Sequence, residues 1–128
     1  MQHLIKFEDN QKTPTDLVGN CEYSNFGTKV QHCVMNGDSM HPTIAHCEVV
    51  AFIACGGRAM TPGIYVYSRD VFGRTCMFIK RIEPLPGGSL RFISDNHFYK
   101  TFTLGIEEHN DLIIHGKVMA SLAVRYFS

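Results

Sequence analysis

Turn signals interrupt this chain before any apolar stretch grows long enough for a helix, and that spacing constrains the fold more than any other feature. From Thr28 onward, Asn36-Gly37-Asp38, Gly56-Gly57, Pro62-Gly63, Phe72-Gly73, Pro86-Gly87-Gly88 and Asp95-Asn96 recur between short apolar runs. Glycine and proline at such intervals mark turns, and the runs between them have the length of strands. The runs fall at 30–35, 48–55, 64–67, 74–82 and 90–93. Two more follow, at 97–103 and, around Gly116, at 112–124. None keeps a helical period, so the expected class is a mainly β domain of several small, strongly twisted antiparallel sheets with little helix. One short helical turn is expected after Ser39, where Asp38 or Ser39 can serve as N-cap.

The 128 residues suffice for one domain with a buried core. Residues 1–27 are polar and poorly periodic, and "EDNQKTPTD" reads as a linker or N-terminal arm; 28–128 is the domain proper. Twelve basic residues balance twelve acidic ones. That balance argues against a nucleic-acid-binding face, which needs a cationic excess to meet phosphates. No run approaches the roughly 18 apolar residues of a membrane span, and no signal peptide opens the chain. The five cysteines include no CxxC pair, so reduced thiols and a cytoplasmic location are expected.

Two residues carry potential chemistry. Ser39 stands in "NGDSMHPT", a lone hydroxyl on a tight corner between apolar runs. A serine becomes a useful nucleophile only when a neighbouring base takes its proton. The second residue is Lys80 in "TCMFIKRIE". Alternation on a strand gives it the same face as Cys76, Phe78 and Ile82, an apolar setting for an ammonium group. Burial there favours the neutral amine. Bringing a lysine near neutral pH requires a penalty of about 4 kcal/mol on the charged form, which full burial can supply. Arg81 points to the opposite face and stays solvated. On this reading Gly37 permits the close turn, Met40 and Pro42 lock it by packing, and Ser39 and Lys80 approach hydrogen-bonding distance.

"GDSMHPTI", an apolar strand, "FIKRIEPLPGGSLRFISDNHFY" and then "IIHGKVM" together resemble the LexA-like and phage-repressor C-terminal peptidase family. The resemblance covers about residues 30–125. Its most specific parts are Gly37-Asp38-Ser39-Met40 with Pro42-Thr43, then Lys80-Arg81-Ile82, Pro-Gly-Gly and Ser94-Asp95-Asn96. It implies a LexA/signal-peptidase-like fold and a Ser/Lys dyad, with Ser39 as nucleophile and Lys80 as general base. It also implies an oxyanion hole of backbone N–H groups, here those of Asp38 and Ser39. The implied substrate is an Ala-Gly or Cys-Gly bond in the protein's own N-terminal linker. The implied partners are a second copy of the chain and a RecA filament as co-protease. DNA would be held only through a helix-turn-helix domain that this sequence lacks, and neither a cofactor nor a membrane partner is implied.

Two features depart from that pattern. No Ala-Gly or Cys-Gly precedes Ser39, the one Cys-Gly being Cys55-Gly56, and no helix-turn-helix comes before the domain. They leave three readings: a repressor's C-terminal fragment, an idle oligomerisation module, or a stand-alone accessory subunit of an error-prone polymerase. Elsewhere, His41, His46, Cys47 and Cys55 lack the paired short spacing of a structural zinc site, and no metal is expected. Tyr65, Tyr67, Phe92, Phe98, Tyr99 and Phe102 could form a base-stacking face, but strand alternation assigns them to core and interface.

Overall fold

The computed structural model describes residues 29–125 and 127, so the expected N-terminal arm lies outside the described residues. Seven strands follow in order: β1 (Gln31–Val34), β2 (Val49–Ile53), β3 (Gly63–Val71), β4 (Arg74–Pro84), β5 (Leu90–Ile93), β6 (Phe102–Leu104) and β7 (Ile113–Leu122). Two single 3-10 turns, Pro86–Gly88 and Ile106–Glu108, are the helical elements among them. The mainly β class is as expected. The ladder is one continuous sheet in the order β1-β2-β7-β3-β4-β5-β6, where the sequence suggested several small sheets. Every pairing is antiparallel.

β3 lies between β4 and β7, and its alternation divides the core in two. Val66, paired with Ile79, joins Cys33, Met35, Met40, Ile44, Val50 and Phe52 in one buried cluster. Tyr65 and Tyr67 face the other way, where Tyr67 meets Phe78 and Phe92, and Ile82, Leu90, Leu104 and Ile114 complete the second cluster. Burial on both faces explains why the centre of β3 is apolar at successive positions rather than alternating. Removing a ring such as Phe92, which is wholly buried, costs about 3–5 kcal/mol.

The register between β7 and its neighbours shifts at Ala51/Phe52 and at Val66/Tyr67. Gly116 lies where those strands close up: a Cβ there would meet Ile53 O at 2.5 Å and the Phe52 ring at 2.6 Å. Only glycine fits without moving backbone. Among the described residues, no helix is long and apolar enough to cross a membrane.

Candidate functional site

The Ser39 corner is a loop closed at its base. Met35 N–H donates to Glu48 O at 2.9 Å, and Cys47 N–H returns to Met35 O at 2.7 Å. Inside the loop, His41 N–H donates to Asp38 O and Ile44 N–H to Met40 O, so hydrogen-bonded turns stand where the sequence suggested a short helical turn after Ser39. Gly37 has a φ of 110°, open to glycine and strained for other residues. Its N–H donates to His46 Nδ1 at 2.8 Å, so this ring nitrogen is the unprotonated one.

Met35, Met40 and Ile44 sink into the first cluster from this loop and fix its seat. Pro42 was expected to pack beside Met40 but is exposed; the loop is held through Met40, Ile44 and backbone bonds instead. Ser39 itself is half-buried. Among the described residues, no backbone-to-backbone hydrogen bond uses the amide of Asp38 or of Ser39. Those are the two donors that an oxyanion hole would need.

Lys80 lies opposite Tyr65 on β4, on the face shared with Phe78 and Ile82. It is half-buried, and burial lowers its pKa below the ordinary lysine value. Its ammonium donates to Ser94 Oγ at 2.6 Å, and Ser94 is buried at the exit of β5. The next residue, Arg81, points to the other face and forks onto Asp95, Nε to Oδ1 at 2.7 Å and Nη2 to Oδ2 at 3.1 Å. Consecutive residues of β4 therefore grip consecutive residues beyond β5, one from each face. Arg81 is largely exposed, as expected, but engaged rather than merely solvated.

The segment "SDNHFY", residues 94–99, then joins Lys80 to the Ser39 corner. Asp95 accepts from Thr43 Oγ1 as well as from Arg81. Burial alone would raise its pKa, but the bonds from Arg81 and Thr43, with the Arg81 charge, hold it below its ordinary value. Asn96 N–H donates to Ser39 O at 3.0 Å, and its side-chain amide donates to Asp38 O at 2.9 Å. Tyr99 donates its hydroxyl to Asp38 Oδ1, a bond that raises the phenol pKa. The ammonium of Lys80 stands 5.6 Å from the centre of the Tyr99 ring.

The six-residue segment 94–99 links the two sequence-predicted residues, but among the described residues no hydrogen bond joins them: the expected approach of Lys80 to Ser39 is not made, and the amine is turned to the buried hydroxyl of Ser94 instead. Ser94 and Asn96 were not assigned roles from the sequence, although Ser94-Asp95-Asn96 was among its specific marks, and Tyr99 was assigned only to core or interface. His46 had no signal beyond its proximity to Cys47. Among the described residues, no group of three or more His, Cys, Asp or Glu side chains is placed to hold a metal ion. Of the aromatic residues considered for base stacking, Tyr65, Tyr67 and Phe92 are core, Phe102 stacks on Phe92, and Phe98 and Tyr99 are exposed.

This geometry defines a mainly β protein with a half-buried lysine beside a rigid serine turn. No protein-family model, curated protein or solved structure matches the chain.

Proposed function

We propose that this domain is the C-terminal self-cleaving peptidase and dimerisation domain of a phage-type, LexA-like transcriptional repressor, working in the cytoplasm. The observation that carries the proposal is Lys80: half-buried, with a lowered pKa, and joined through residues 94–99 to the turn that bears Ser39. In this mechanism the neutral Lys80 amine takes the Ser39 hydroxyl proton while Oγ attacks the carbonyl carbon of the scissile peptide. The amides of Asp38 and Ser39 receive the negative charge that forms on the carbonyl oxygen; fixed donors of this kind need no reorganisation. The lysine then returns its proton to the leaving amine, and water releases the acyl group from Ser39.

The substrate is a bond in the protein's own linker, with a RecA filament as stimulus. The repressor pairs as a homodimer to present two helix-turn-helix domains. The exposed apolar residues Ile113, Met119 and Leu122 of β7 suit such self-association.

The test supplies a linker peptide in trans, or the native upstream segment in cis, and follows cleavage against pH. The rate should rise with pH until it reaches the lowered pKa of Lys80, since only the deprotonated amine is a base. Ser39→Ala and Lys80→Ala should abolish cutting. Lys80→Arg should be equally inactive, because a guanidinium stays protonated near neutrality. Cleavage that survives Lys80→Arg would overturn the dyad.

A further inference from the structure

One residue, Asn96, holds the peptide planes on both sides of Ser39. The plane between Asp38 and Ser39 carries the Asp38 carbonyl, which accepts from Asn96 Nδ2 at 2.9 Å and from His41 N–H at 3.1 Å. The plane between Ser39 and Met40 carries the Ser39 carbonyl, which accepts from Asn96 N–H at 3.0 Å. Asn96 is itself anchored. Its Oδ1 accepts from Phe98 N–H and its carbonyl from Tyr99 N–H, each at 3.1 Å, and the preceding Asp95 is gripped by Arg81 and Thr43.

Both planes are trans. In a trans unit the N–H points opposite to the C=O, so turning the Asp38 carbonyl toward Asn96 sends the Ser39 N–H the other way. Among the described residues, that amide enters no backbone-to-backbone hydrogen bond. The settings of the two planes are the φ and ψ of Ser39, and together they set where its Cα–Cβ bond points. The side chain of Asn96 controls the first plane and its main chain controls the second. We infer that Asn96 is a positioning residue of the candidate site, its side-chain amide aiming the Ser39 N–H at the place where a substrate carbonyl oxygen gains charge. This rests on the peptidase reading and adds the residue that sets the donor's direction before the charge forms, which is when a fixed donor is most effective. It acts on the serine side of the site, whereas Ser94 engages the lysine.

Residual dipolar couplings of backbone amides report N–H directions and require no cleavage. They are measured on the full chain, unaltered and carrying Asn96→Ala or Asn96→Asp. Asn96→Asp keeps an acceptor for Phe98 N–H but has no donor for Asp38 O, so a change shared by both variants belongs to the Asp38 bond. The Ser39 coupling should change in both, while those of Met40 and of β4 and β5 stay as they are. An unchanged Ser39 coupling would overturn the role of Asn96. So would a change spread over Met40 and the sheet, which marks general loosening. In cleavage of a linker peptide, Asn96→Ala should lose about ten- to a hundredfold in kcat, with KM and the pH midpoint unchanged, since the lysine keeps its surroundings. A moved midpoint would mean that Asn96 acts through Lys80 and would also overturn its role. Failure of the unaltered chain to cleave, with the coupling pattern as expected, would instead count against the dyad alone.

Discussion

Lys80 donates to Ser94 Oγ across 2.6 Å, and this pair sets the direction in which the amine can act. A neutral amine has two protons and one lone pair. Committing a proton to Ser94 leaves the lone pair restricted to a narrow range of directions. Ser94 is itself buried, so its hydroxyl is not free to follow solvent.

Ser94→Ala should therefore slow cleavage by roughly ten- to a hundredfold through kcat, with KM little changed, as expected when a positioning contact is lost near a general base. Ser94→Thr retains a hydroxyl and should recover part of the rate. Steady-state kinetics on one peptide across a pH series checks this. A merely structural Ser94 would lower stability without altering the shape of the pH profile. An unchanged profile together with full kcat would remove Ser94 from the site.

Self-association has its own check. β7 exposes Ile113, Met119 and Leu122, three large apolar residues on a strand hydrogen-bonded on both sides. Sedimentation over a concentration series should show a dimer, and Met119→Glu should shift the midpoint to at least tenfold higher concentration, since a desolvated carboxylate opposes burial. A monomer at high micromolar concentration, in the unaltered chain, would count against the repressor reading.

The sequence was most legible where local pattern and tertiary role coincide. β5 runs over Leu90–Ile93, the span expected, because Pro-Gly-Gly closes one end and Ser94-Asp95-Asn96 the other. β3 was read as 64–67 but extends from Gly63 to Val71. Its second half, Ser68-Arg69-Asp70, is polar and has no apolar signal, yet it pairs with Met77, Cys76 and Thr75 of β4 across the Phe72-Gly73 turn. His115 also lies 3.0 Å from Ser68 Oγ, and Asp111 accepts from the Asp70 amide. The turn was legible, but the polar hairpin pairing beside it was not. The reverse happened at 97–103, where an apolar run suggested a strand. Asn96 bonds the Phe98 and Tyr99 amides into a turn instead, and β6 begins only at Phe102. Lys80 and Ser39 could be singled out because their residue types are unusual in those surroundings. The bridge between them could not, since it depends on how β4 and the exit of β5 face each other.

His115 provides a prediction independent of catalysis. It is half-buried on β7, and burial lowers its pKa below the ordinary histidine value. The unfolded chain takes up this proton near pH 6.5, whereas the folded chain resists until a lower pH. Between those two values the unfolded state binds more protons. Stability therefore falls as pH drops from about 6.5 through the folded pKa, and above 6.5 this residue adds no pH dependence. His115→Gln keeps a polar group near Ser68 but cannot titrate. Urea midpoints at pH 7.5 and pH 5.5 should show a smaller acid-side loss in His115→Gln than in the unaltered chain. The comparison between the two proteins isolates His115 from the other histidines, which titrate in both. An identical acid-side loss would mean that the folded and unfolded chains protonate this ring alike, and that its burial carries no penalty.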